Sequence, residues 1–218
     1  MIELYSASTP NGHKVSIALE EMALPYRVHV IDFEEKDQLK PKFLKISPNG
    51  RIPAIVDGDT GTALMESGAI LIYLAEKSGQ FLPIKGEPRA KVLEWLMFQM
   101  ANVGPMMGQT GVFRRYFHVH LPEAIQRYAN ETQRLYQVMD KRLAEVEYLA
   151  GDYSIADMAT APWLCFADWI EEPYTEYPHI SRWMNAVTSR PAFAKGMEIP
   201  ASVDAGERLR RAKSITTD

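Results

Sequence analysis

Residues 8–14 read Ser8-Thr9-Pro10-Asn11-Gly12-His13-Lys14, directly after the short apolar stretch Ile2-Glu3-Leu4-Tyr5. A strand that ends in a polar turn at the mouth of a helix is a place where small folds often keep a reactive group. No cysteine stands in this turn, and the hydroxyls of Ser8 and Thr9 have no base beside them in sequence. The single cysteine, Cys165, lies in the apolar run Pro162-Trp163-Leu164-Cys165-Phe166-Ala167, where a buried, inert thiol is expected rather than a nucleophile. One cysteine allows no disulfide framework, no CxxC redox pair and no multi-thiolate metal site. Of the five histidines, His118 and His120 stand two apart without a carboxylate ligand set, and His13, His29 and His179 are scattered, so no metal is expected. What the turn works on has to be read from the rest of the chain.

The elements that must position this turn alternate in type. Ile2 and Leu4 fall at period two, and Val15, Ala18, Leu19 and Met22 fall at i, i+3, i+4, i+7, giving a strand and then a helix that Pro25 stops. Tyr26, Val28 and Val30 alternate as a second strand, and Phe43–Ile46 forms a short helix. Ala54–Val56 and Ala63–Met65 flank the turn-rich Asp57–Gly61 as a hairpin, and Ser67 is expected to cap a helix that runs to Lys77 and closes at Gly79. The order is βαβαββα over residues 1–79. Residues 80–89, with two prolines and a glycine, are expected as a linker, and 90–204 as an all-helical domain. In it, Gly104-Pro105 is expected to bend or end the first helix, and a stripe from Ile125 to Val146 stops by Gly151. Ser154 with Asp157 caps a helix over Met158–Ile170, and the Ile180–Val187 helix ends at Pro191. Residues 205–218 are expected to be a loose tail. The fold class is α/β plus all-α.

Composition excludes several function classes. At 218 residues, with 46% hydrophobic and 24% charged, the chain suits two modest globular domains. No apolar run approaches the ~18 residues that span a bilayer, and the N-terminus lacks a basic region followed by a signal core, so a cytoplasmic protein without a membrane partner is expected. A formal charge of −4, with aromatics not interleaved among basic clusters, argues against nucleic acid.

Three spaced motifs then narrow the fold. Ser47-Pro48-Asn49-Gly50-Arg51-Ile52-Pro53-Ala54-Ile55 resembles the glutathione transferase segment that places a cis-proline before the third strand. Glu66-Ser67-Gly68-Ala69-Ile70-Leu71 resembles that family's glutathione-holding motif, and Tyr153-Ser154-Ile155-Ala156-Asp157 its C-domain capping box. The resemblance covers residues 1 to about 200 and implies a thioredoxin-like N-terminal domain followed by a helical bundle. Thr9–Lys14, Gln99, Gly104–Gln109 and Glu131–Tyr136 are similar to the bacterial Nu class, whose members need no catalytic cysteine. The resemblance thus answers the opening question: glutathione, the co-substrate, brings the sulfur.

On this resemblance Glu66 pairs with the glutathione ammonium. Ser67 and the helix N-terminus hold the γ-glutamyl carboxylate, and the Ile52 backbone before Pro53 pairs with the cysteinyl backbone. Gln38 and Arg51, with Lys40, are expected at the glycine end. Thr9 and Asn11 are the expected thiolate donors, since neither adds negative charge; each is also a competent helix cap. Tyr5 is expected in the core, and Ser8 ranks below Thr9 and Asn11. Met106, Phe113 and Tyr116 are expected to wall the second-substrate pocket, with helix packing and a dimer surface as the alternative, and Arg127 to meet glutathione carboxylates. The implied protein is a homodimer that reduces disulfides, with organic hydroperoxides as a further substrate. Its rivals are conjugation of glutathione to electrophiles and a non-catalytic module on the same fold.

Overall fold

Period-two alternation makes β1 (Ile2–Ser6) a strand with Ile2, Leu4 and Ser6 buried on one face. The computed structural model describes residues 1–201, 204, 206, 209 and 210. In it β1 pairs in parallel with β2 (Tyr26–Val30) and antiparallel with β3 (Ala54–Asp57), which pairs antiparallel with β4 (Ala63–Met65). The sheet order is β2-β1-β3-β4. Helix α1 (Pro10–Glu21) joins β1 to β2, the short α2 (Pro41–Leu44) follows, and α3 (Ser67–Ser78) leaves β4 and closes at Gly79, whose φ of +70° is the left-handed helix stop. This is the expected βαβαββα order. Its core joins Leu4, Val15, Leu19, Ile55, Ile70 and Leu74 to the helical half through Leu96, Met107 and Trp183.

The helical half comprises α4 (Gly86–Phe98), α5 (Gly104–Gly111), α6 (Pro122–Leu143), α7 (Ile155–Leu164), α8 (Pro178–Thr188) and α9 (Pro191–Met197). Several boundaries differ from the sequence reading, among them the start of α7 at Ile155 and not Met158. Helix α4 starts at Gly86, inside the 80–89 stretch. Gly104-Pro105 does not end a helix: Gln99–Val103 forms a widened turn in which the Gly104 N–H reaches back five residues to the Gln99 carbonyl, so the ladder absorbs the donor that Pro105 lacks. Helix α6 ends at Leu143, short of Val146, and α7 ends at Leu164, short of Ile170. The tail lies outside the described residues, apart from 206, 209 and 210.

The expected capping box is present. Asp157 is fully buried and accepts from the Ser154 N–H (2.9 Å), the Leu149 N–H (3.0 Å) and Trp183 Nε1 (2.8 Å), while Ser154 Oγ accepts from the Ala156 N–H at 3.3 Å. One carboxylate thereby joins the start of α7 to α8 and the preceding loop. Asp157→Ala strands these three buried donors and the Ser154 hydroxyl, which also donates to Asp157 at 3.2 Å, and is expected to destabilise the fold by about 3 kcal/mol, read by denaturant titration; a loss below about 1 kcal/mol would contradict this role.

Candidate functional site

The turn after β1 is held tightly against its own strand. A Cβ on Gly12 would lie 2.2 Å from the Ala7 carbonyl, so only glycine lets α1 begin there. Thr9 is extended (φ −140°, ψ 159°), and its Oγ1 accepts from the Gly12 N–H at 3.1 Å, the N-cap geometry. The side chain faces a small cavity of about 70 Å³ shared with Ser8, His13 and Cys165. Asn11, two residues on, faces the opposite way. Its Oδ1 accepts from Trp163 Nε1 at 3.1 Å, which leaves the amide NH₂ without a partner among the described residues.

Asn11 lines two adjoining cavities. The first, about 240 Å³, is bounded by Arg51, Ile52, Pro53, Glu66, Ser67 and Met100. The Ile52–Pro53 bond is cis, Ser47 Oγ donates to the Arg51 carbonyl at 2.8 Å, and the Ile52 backbone has no hydrogen-bond partner among the described residues. Glu66 rather than Ser67 occupies the cap position of α3, at φ +69° and ψ 113°, a region that non-glycine residues rarely adopt. Ser67 is therefore the first helical residue. Its hydroxyl caps nothing; it is buried and receives a hydrogen bond from Lys14 Nζ at 3.4 Å. The first intrahelical bond runs from the Ile70 N–H to the Glu66 carbonyl, so the N–H groups of Ser67 and Gly68 stay unused at the positive end of the helix.

The second cavity, about 380 Å³, is walled by Lys14, Gln99, Met100, Pro105, Val112 and Trp163. The widened turn at 99–103 puts Gln99 and Met100 on this wall. Gly104 admits the Trp163 ring, since a Cβ there would meet it at 3.3 Å and Gln99 Nε2 at 2.8 Å. Met106, Phe113 and Tyr116 line neither of these two cavities. Phe113 stacks on Tyr128 (centroids 5.5 Å, 8° between planes), and the Tyr116 hydroxyl accepts from Trp169 Nε1 at 2.6 Å. Phe113 thus packs on α6, and Tyr116 on the stretch that follows α7.

The remaining expected residues divide. Gln38 is buried on a short turn (Asp37–Leu39), and its Oε1 has no partner among the described residues. Arg51 lines the first cavity, whereas Lys40 is engaged by Asp37 at 2.6 Å. Arg127 is 72% exposed on α6, 3.9 Å from Glu131, and lines neither cavity. Tyr5 packs as expected, stacked on His29 with centroids 4.6 Å apart. Cys165 is exposed at the end of α7, not buried, yet the protein around the thiol pushes it up to about 11 and leaves it a poor nucleophile. Among the described residues no group of histidine, cysteine and carboxylate side chains could hold a metal. Sequence reasoning missed Lys14, Gln99 as a site residue and Trp163. A buried tryptophan needs an acceptor, but nothing in the spacing pairs position 163 with position 11.

The fold and this cleft define a glutathione-dependent enzyme built on a thioredoxin-like domain and a helical domain. The chain belongs to the glutathione S-transferase family: residues 9–77 match its N-terminal domain and 111–191 its C-terminal domain. It is 45% identical over 205 residues to the disulfide-bond oxidoreductase YfcG of Escherichia coli, covering 90% of this chain and 94% of that one. A glutathione transferase family member from Pseudomonas fluorescens, solved with two glutathiones bound, superposes with a TM-score of 0.85 at 44% identity, covering 90% of this chain and 92% of that one. A Pseudomonas putida glutathione transferase, solved with one glutathione disulfide per subunit, superposes with a TM-score of 0.82 at 41% identity and covers 92% of each chain. Among the described residues no helix is long and apolar enough to cross a membrane.

Proposed function

We propose that this protein is a Nu-like glutathione transferase that reduces disulfides with glutathione, using no cysteine of its own. The observation that carries the reading is the position of Asn11, whose amide NH₂ faces the boundary of two adjoining cavities. One glutathione lies in the first cavity, its carboxylate at Ser67 and the start of α3, its ammonium at Glu66 and its backbone against Ile52. Gln38 and Arg51 serve its glycine end. Its sulfur then reaches Asn11 and the N-terminus of α1, whose donors favour the thiolate; Thr9 supports this by capping that helix. The thiolate attacks one sulfur of a disulfide RSSR, releasing RS⁻ and forming a mixed disulfide. A second glutathione thiolate in the larger cavity attacks that bond on the glutathione sulfur. The products are glutathione disulfide and, with two protons, two RSH. Arg127 is kept as a carboxylate partner for this second molecule.

Two relatives favour this chemistry: YfcG by its name as a disulfide-bond oxidoreductase, and the P. fluorescens structure by its two glutathiones. Organic hydroperoxides are a second oxidant for the same thiolate. The rival reading, conjugation to an electrophilic carbon, draws on the apolar Met100, Pro105, Val112 and Trp163 in the larger cavity. We place the protein in the cytoplasm as a homodimer, where reduced glutathione is maintained. Turnover of a small disulfide, coupled to glutathione reductase, tests the reading against conjugation of an aryl halide. Disulfide turnover exceeding conjugation by tenfold or more is expected, and the reverse order would favour the rival. In the same assay Cys165→Ala keeps full disulfide turnover; its loss in a folded variant would mean the reactive sulfur belongs to the protein.

A further inference from the structure

Lys14 lies inside the protein, with 1% of its surface exposed. Its Nζ donates to Gln99 Oε1 at 2.7 Å, to Ser67 Oγ at 3.4 Å and to Met100 Sδ at 3.4 Å, all neutral groups. A buried ammonium is ordinarily matched by a carboxylate in contact, because its lost hydration is otherwise uncompensated. The elements packed on α1 provide no such contact. From α3, Glu66 acts on the amine through space, while Glu76 and Lys77 are engaged by Arg89 and by Asp57 and Asp59. Asp157 of α7 is held by Ser154, Leu149 and Trp183, and Lys195 of α9 pairs with Glu20. On α1 itself, His13 faces Ser8 and Glu21 pairs with Arg190. Burial therefore lowers the amine to about 7, with Glu66 opposing.

A second feature points the same way. Gln99 is fully buried, gives its carbonyl to Lys14, and leaves Nε2 without an acceptor among the described residues. Gln99 and Lys14 line the larger cavity, and Ser67 lines the smaller one. A cation without a contacting anion and a donor without an acceptor among the described residues, on the wall of the larger cavity and next to Ser67 of the smaller one, form a receptor for negative charge.

We propose that Lys14 is a proton-coupled counter-charge: an anionic ligand arriving over Ser67 draws a proton from solvent onto the buried amine, which then holds the ligand through the polarised Ser67 hydroxyl. The inference rests on reading the cleft as a glutathione site. Lys14 is a positioning residue, since Ser67 stands between it and the ligand. The sign follows from the lowered amine. In the free protein the unfolded chain binds more protons between about pH 7 and the usual lysine range, so stability climbs as pH rises through that window. A bound anion reverses this by making the charged amine favourable.

S-Methylglutathione, which has no thiol proton to lose, isolates the effect. At pH 8 an amine near 7 is charged in roughly a tenth of molecules, so calorimetric titration in buffers of different ionisation enthalpy should show uptake of about half to one proton per ligand bound. In Lys14→Met the uptake should fall below about 0.2 and affinity by roughly tenfold, while the ligand-free variant melts above wild type because an uncompensated buried amine is gone. Binding by wild type without proton uptake overturns the inference and leaves the glutathione site standing, and this result needs no variant to fold. Uptake that survives Lys14→Met overturns it as well. Failure of wild type to bind at all defeats the site reading first, and the inference with it.

Discussion

Glu66→Ala is expected to weaken glutathione binding by tenfold or more, and Ser67→Ala by a similar factor. Each removes a charge-assisted contact worth about 1.5–3 kcal/mol, and tenfold corresponds to about 1.4 kcal/mol. Glu66 adds a signature that a surface carboxylate would lack. Its backbone sits at φ +69° and ψ 113°, a conformation that costs of order 1–3 kcal/mol and is held by its surroundings. Unchanged affinity in both Glu66→Ala and Ser67→Ala, measured by calorimetry, would remove this end of the site.

The second large effect concerns the sulfur. Asn11→Ala deletes the amide donor and is expected to raise the pKa of bound glutathione by about one unit, read from thiolate absorbance against pH, with a matching loss of turnover at neutral pH. Trp163→Phe should move the same quantity in the same direction, by less. Without the indole N–H, nothing holds Asn11 Oδ1 away from the thiolate, and the amide is free to turn its oxygen toward it. Thr9→Ala should be milder than Asn11→Ala, because the Thr9 hydroxyl caps α1 instead of facing the two cavities. Tyr5→Phe should leave the titration unchanged. A shift abolished by Tyr5→Phe and intact in Asn11→Ala would make this a tyrosine-type enzyme.

How far the sequence carried depended on whether an interaction was local. Strand alternation in Ile2–Ser6, the helical face of Val15, Ala18 and Leu19, the Ser154–Asp157 box and the Ile52-Pro53 segment depend on residues close in the chain, and each took the expected form. The Trp163–Asn11 bond spans 152 positions and the Lys14–Gln99 bond 85, and no periodicity encodes such pairs. Gly104-Pro105 reads as a bend or an end of the helix, and the widened turn before it decides against an end. That same turn puts Gln99 and Met100 on the wall of the larger cavity. Ser67 differs again: a serine at a helix start reads as a cap, whereas here Glu66, at positive φ, takes the cap position and the Ser67 hydroxyl meets Lys14 and Met100.

The central claim is that glutathione sulfur, and no protein sulfur, reacts beside Asn11. A crystal structure grown with glutathione disulfide tests it most directly. A disulfide spanning both cavities is expected, with one γ-glutamyl carboxylate at Ser67 and a sulfur within about 3.5 Å of the Asn11 amide nitrogen. A ligand sulfur seated at Tyr5, or bonded to Cys165, would contradict it.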